Sequence, residues 1–238
     1  MQRFGLKANA RKVMVENAPK LFFVGLVYVT ITTVLSELGF RLPGTSNAYD
    51  MFLQRLLAGE VPTLELFYSN LRYPGLALSA VILFLSPVIE AGFMHYCLKA
   101  SRAQECGFKD LFNGFMFFGK IILISIIASF FIFMWSLLFI IPGIAAIYRY
   151  RQAYYILLDD PDKGVLQCIR ESKRMMAGKK LDLFFLDLSF IGWVLVDNII
   201  ILLLPVPFAL PIISIWLAPY LGLSRALYYN QLVENLVV

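Results

Sequence analysis

The chain has 238 residues, of which 60% are hydrophobic and 16% charged, with a mean hydropathy of +0.74. A soluble domain runs at about 45–50% apolar and about 25% charged, so composition argues against a water-soluble globule, and the apolar residues fall in the long blocks a bilayer requires. The net charge of +5 flanks those blocks, where anionic lipid headgroups are the natural counter-charge; no RNP-like, zinc or helix-turn-helix signature supports nucleic acid as a partner.

Residues 1–20 carry Arg3, Lys7, Arg11, Lys12 and Lys20 against one acid, Glu16. Phe4, Ala8, Met14 and Val15 line one side of an expected cytoplasmic amphipathic helix. The apolar run Leu21–Leu38 follows. A basic segment before an apolar one also describes a signal peptide. That reading is rejected because Ser36-Glu37-Leu38 is no small-residue cleavage site and further spans follow. Leu21–Leu38 is therefore read as a first transmembrane helix.

Residues 39–74 are broken by Gly39, Pro43-Gly44, Asn47, Pro62 and Pro74 and form the expected extracytoplasmic loop. Two readings stand for it. Helical spacing at Met51, Phe52, Leu53, Leu56 and Leu57, and again at Leu64 and Phe67, suits short amphipathic helices on the leaflet; the alternative is a solvated loop with apolar anchors.

The second span, Gly75–Leu98, contains Pro87, Glu90 and His95. Lys109–Phe115 reads as an interfacial segment feeding the third span, Lys120–Ile141. Pro142-Gly143 is expected to turn the chain into a short fourth span, Ile144–Leu158. Asp160-Pro161-Asp162 then stops one helix and caps another. Residues 159–180 form a cytoplasmic amphipathic connection with Val165, Leu166, Ile169 and Met176 on one side, ending at Gly178. A fifth span, Leu181–Leu204, ends at Pro205-Val206-Pro207, and a sixth runs from about Ala209 to Tyr229. Fold class is thus all-α: a polytopic transmembrane bundle of about six helices in one membrane domain, 1–238, with amphipathic interfacial helices. Inner segments hold the lysine clusters and the short turns at Pro142 and Pro205 hold no Lys or Arg, which places both termini in the cytoplasm.

Several stretches carry a resemblance. WSLLFIIPGIAAIYRY, YYILLDDP, ESKRMMAGKK and LFFLDLSFIGW, with LKANARKV and KDLFNGFMFFGK upstream and LAPYLGLSRALYYNQL downstream, resemble an uncharacterised bacterial membrane family, domain of unknown function 975. The resemblance implies a multi-helix integral membrane protein of bacterial origin and no activity. A more distant likeness to membrane domains attached to glycerophosphodiester phosphodiesterases implies a lipid-related context; the chain lacks any such catalytic domain.

A charge inside a span is costly and marks a site. The candidates are Glu90, Arg149, Arg151, Asp187 and Asp197. Helix rise puts Arg149 about 8 Å and Asp197 about 10 Å below the outer ends of their spans. Arg151 and Asp187 share a level nearer the inner side, so two Arg–Asp pairs are geometrically open, with Glu90 serving the arginine that the fifth span does not reach. Arg149 and Arg151, two residues apart, face nearly opposite sides of one helix.

No catalytic residues are expected. Ser136, Ser189 and Ser224 have no His/Asp partners at motif spacing. A single histidine, His95, and unpaired Cys97, Cys106 and Cys168 form no metal set and no disulfide framework. No cofactor is implied. The expected function is a non-enzymatic membrane protein binding membrane lipids or a protein partner. The alternative is a small transporter or lipid-handling protein with a polar intramembrane site.

Overall fold

The computed structural model describes residues 3–41, 45–60, 73–203 and 211–237. Every regular element among them is helical: α1 (Arg3–Glu16), α2 (Lys20–Arg41), α3 (Thr45–Leu57), α4 (Tyr73–Ser101), a 3₁₀ segment (Phe108–Phe117), α5 (Phe118–Leu138), α6 (Ile140–Tyr150), α7 (Gln152–Asp159), α8 (Val165–Met175), α9 (Lys180–Leu203) and α10 (Ile212–Val237). The fold is an all-α bundle. The stretches Lys20–Arg41, Gly75–Ser101, Phe108–Leu138 and Lys180–Ile201 are long and apolar enough to cross a membrane.

The other two expected spans differ from the sequence reading. The fourth is divided at Arg151 into α6 and α7. The last is the 26-residue helix α10, which contains Pro219 and Arg225 and falls outside the set of apolar spanning helices. The expected turn at Pro142-Gly143 also moves. The chain breaks at Phe139, which is extended (φ −161°, ψ 154°), and Pro142 lies in the first turn of α6. Proline is tolerated there because the first-turn N–H groups have no intrahelical acceptor. Gly143 serves packing: a Cβ on it would collide with Ser136 Oγ and lie 3.0 Å from Ser136 Cα.

The chain divides into two compact units, residues 1–29 with 87–238, and residues 30–86. In the smaller unit, Ser79 Oγ donates to the Gly39 carbonyl at 3.1 Å. A Cβ on Gly39 would sit 3.7 Å from Ile82, an ordinary packing contact. Helix α3 confirms helical spacing over Met51–Leu57, while Leu64 and Phe67 lie outside the described residues.

The larger unit holds its core where glycines let backbones approach. A Cβ on Gly92 would collide with the Leu111 carbonyl oxygen, and one on Gly114 with that of Val88. These two positions dock α4 against the 3₁₀ segment. The segment's start is fixed by Asp110, whose carboxylate accepts from Gly107 N at 2.7 Å and from Lys99 Nζ at 2.6 Å. Gly25 makes the same kind of room for Pro219, 2.7 Å from a Cβ built there.

The amphipathic face of α1 is rotated from expectation, whereas that of α8 keeps Val165, Ile169 and Met176 on the core side and departs from it only at Leu166. In α1 the buried side chains are Leu6, Ala10 and Met14, at i, i+4 and i+8, whereas Val15 is 70% exposed. The expected stripe of Phe4, Ala8, Met14 and Val15 mixed two faces; packing of α1 against α10 selects the i+4 ladder. In α8 the buried residues are Cys168, Ile169, Ser172 and Met175, and Leu166 is exposed. Gly164 rather than Asp162 occupies the N-cap, with no side-chain cap bond. Gly178 ends this stretch at φ +72°, a left-handed conformation that glycine adopts without Cβ strain.

Candidate functional site

Asp187 on α9 is the centre of a partly buried charge cluster. Arg225 on α10 donates from Nε to Asp187 Oδ1 at 3.0 Å. Arg151, at the junction of α6 and α7, places a guanidinium nitrogen 4.0 Å from Asp187 Oδ2. One carboxylate thus faces two cations. The side chains are 14% exposed for Asp187 and 22% for each arginine. At that burial a carboxylate without a cation would be costly, and so would either guanidinium without an anion.

Beside this clamp lies a cavity of about 90 Å³. Tyr28, Glu90, Phe93, Tyr155 and the two arginines form its polar and aromatic wall. Tyr28 stacks on Phe93 with ring centroids 4.1 Å apart. Among the described residues Glu90 makes no ion pair, and Arg151 Nε is buried without a hydrogen-bond partner. A water occupies about 30 Å³ in the liquid, so the cavity has room for about three.

The remaining candidates do other work. Asp197 is 2% exposed and meets no arginine. Its carboxylate accepts from Ile213 N at 3.1 Å, Ser214 N at 3.0 Å and Ser214 Oγ at 2.5 Å. It caps the N-terminus of α10 from the neighbouring helix, satisfying first-turn N–H groups and the positive end of the helix dipole. The expectation of two Arg–Asp pairs is corrected accordingly: Asp187 takes Arg151 together with Arg225, and a helix start takes Asp197. Arg149 makes no ion pair among the described residues. Its guanidinium carbon lies 5.9 Å from the Tyr150 ring centroid, and its backbone carbonyl accepts from Ser172 Oγ at 2.8 Å.

Sequence reasoning missed Arg225. The signal was present: it is a cation within a mostly apolar helix, and the cost of intramembrane charge applies to it as much as to Arg151.

A second polar network joins the ends of three helices. Arg102 clasps Asp159 with two nitrogens, at 2.5 and 3.1 Å, and donates from Nε to Asn230 Oδ1 at 3.0 Å. Tyr229 OH donates to Asp159 Oδ2 at 3.1 Å. Burial is the largest single influence and would raise the Asp159 carboxyl, but the hydrogen bonds and charge of Arg102, the Tyr229 hydrogen bond and the charge of Lys163 together outweigh it and hold the group below its ordinary 3.8.

The serines show no nucleophile geometry among the described residues. Ser136, Ser189 and Ser224 each donate to a carbonyl of their own helix, at 2.8, 2.5 and 2.8 Å. His95 Nδ1 is buried without a hydrogen-bond partner. No group of His, Cys, Asp or Glu among the described residues has metal-binding geometry.

Apolar helices of spanning length around a partly buried charge cluster mark the chain as a membrane protein. Residues 138–236, which run from the end of α5 through α10, match the family model described as "Protein of unknown function (DUF975)". That stretch contains Arg149, Arg151, Asp187, Asp197 and Arg225; Glu90 and the N-terminal motifs lie upstream of it. Comparison with curated proteins and with solved structures gave no match.

Proposed function

We propose that this chain is a non-enzymatic, multi-pass cell-membrane protein that binds membrane lipid or a protein partner in a scaffold, protective or regulatory role. The observation that supports it best is the clamp at Asp187. Two arginines converge on one carboxylate, and the space left beside them is about 90 Å³. Small-molecule sites occupy about 300–1,000 Å³, so this space suits water and not a metabolite. In this reading the cluster holds helices together and the binding surface lies on the outside of the bundle. Both termini face the cytoplasm and nucleic acid is no partner.

Glu90 favours a second reading, a small transporter or lipid-handling protein with a polar intramembrane site. It lines the same cavity as the arginines and has no ion pair among the described residues.

The test is reconstitution of the purified chain in liposomes, with co-purifying lipid measured by mass spectrometry and proton and ion flux measured under an imposed gradient. The scaffold reading expects retained lipid or partner and no flux above empty liposomes. Flux that Glu90→Gln abolishes while the fold survives replaces it with the transporter reading. Cysteine labelling near residues 5 and 236 tests the topology; labelling from opposite sides removes it.

A further inference from the structure

A cavity of about 350 Å³ lies between α1, α9 and α10. Its wall on α1 is Lys7 and Arg11, one helical turn apart. Its other walls are Phe190 and Trp193 from α9 and Trp216 and Tyr220 from α10. Trp193 and Trp216 contact each other at 6.4 Å and are 53% and 39% exposed. Lys7 Nζ sits 4.4 Å from the centre of the Phe190 ring, and Tyr220 OH reaches the Lys7 carbonyl at 3.4 Å. The position of α1 is therefore set by α9 and α10, and its two cations are held at the mouth of an aromatic pocket.

No acid lines this cavity. Glu16, on the same helix, is 3.9 Å from Lys12, and neither Lys7 nor Arg11 has an ion pair among the described residues. The groove of about 1010 Å³ at Lys20 and Lys109 differs, since the acids Glu105 and Asp110 also line it. Two cations without an anion, against exposed tryptophans, call for a counter-ion that brings apolar surface with it. Exposed Ile191, Val194 and Ile212 continue the apolar surface on the same two helices. Lys and Arg beside a bilayer attract anionic lipid.

We infer that this cavity binds the phosphate headgroup of an anionic glycerophospholipid, with Lys7 and Arg11 on the phosphate and Trp193 and Trp216 against the glycerol and upper acyl chain. The inference rests on the lipid-binding reading above and deepens it. Burial lowers the Lys7 ammonium from its ordinary 10.5, as expected of a cation that has lost water and gained no protein anion.

The experiment places the full chain in nanodiscs of equimolar phosphatidylglycerol and phosphatidylcholine, then measures by native mass spectrometry which lipid survives detergent extraction. The wild-type chain should retain phosphatidylglycerol. Each basic residue near an anionic surface contributes about fivefold, so Lys7→Gln with Arg11→Gln should weaken the preference about thirtyfold. Lys12→Gln, on the same helix, should leave it unchanged, as should the charge-keeping exchange of Lys7→Arg with Arg11→Lys. Preference undiminished in the double glutamine variant overturns this site while leaving lipid binding intact. Loss in the charge-keeping variant, or an acidic protein segment cross-linked at Lys7 in place of lipid, also overturns it. A wild-type chain that retains no lipid at all overturns the lipid reading itself.

Discussion

Arg225 and Asp187 meet at 3.0 Å, tying α10 to α9 inside the larger unit. Arg151 approaches the same carboxylate at 4.0 Å. The shorter, hydrogen-bonded contact should dominate. Removing one partner of a fully buried pair costs about 3–5 kcal/mol, because the other charge is left uncompensated, and this partly buried pair should cost less. Asp187→Ala should therefore destabilise more than Arg151→Ala, and Arg225→Ala should fall between them. In a double-mutant cycle, Asp187→Ala with Arg225→Ala should cost clearly less than the sum of the singles. Additive losses in unfolding of the detergent-solubilised chain would mean that the two do not interact. Arg149→Ala should be close to neutral by the same assay.

Asp197 stabilises the start of α10. Loss of a capping carboxylate costs about 0.5–2 kcal/mol, and Asp197→Ala should cost at least the upper part of that range because three donors lose their acceptor. Hydrogen exchange resolved along α10 should accelerate over residues 212–216 and little beyond. Uniform acceleration along the whole helix would show a global loss instead of a frayed end.

The close approach of α4 and the 3₁₀ segment forbids a methyl group at either crossing glycine. Gly92→Ala and Gly114→Ala each drive Cβ into a backbone carbonyl, which cannot swing aside as a side chain does. Overpacking costs about 1–3 kcal/mol, occasionally more, and these positions belong at the high end. Gly119→Ala is the control, since nothing lies within 4 Å of its Cβ position. Equal thermal stability of the three variants would rule out the tight crossing.

The Arg102–Asp159 pair gives stability a defined pH dependence. The Asp159 carboxyl is held below its ordinary 3.8 in the folded chain. The folded state therefore binds this proton less readily than the unfolded state. The stabilisation is fully present above the ordinary value and is lost as pH falls through the folded one. Arg102→Gln should lower thermal stability at neutral pH, and its deficit against wild type should shrink on acidification below about pH 4. A deficit that stays constant down to pH 2 would assign the effect of Arg102 to packing alone.

Much of this protein could be read from its residues in order. Apolar run length and the sparse charges inside the runs mark Lys20–Arg41, Gly75–Ser101 and Lys180–Ile201 as spanning stretches, because hydrocarbon demands that backbone polar groups bond within the segment. The amphipathic character of α1 and α8 was legible for the same local reason. The buried face of α1 was not, because the neighbour chooses among several apolar stripes: α10 selects Leu6, Ala10 and Met14. The break at Phe139 was misplaced because Pro142 is compatible with either a turn or a helix start, and only the collision of a Gly143 Cβ with Ser136 favours the latter. Charge position along the chain identified Arg151, Asp187 and Asp197 as costly. It could not assign partners, since pairing depends on helix rotation and on competing donors. Tertiary structure alone gave Asp187 to Arg225 and Arg151, gave Asp197 to the first turn of α10, and placed Lys7 and Arg11 against tryptophans more than 170 residues away. These are long-range contacts, and side-chain geometry across helices is not encoded in the period of any one of them.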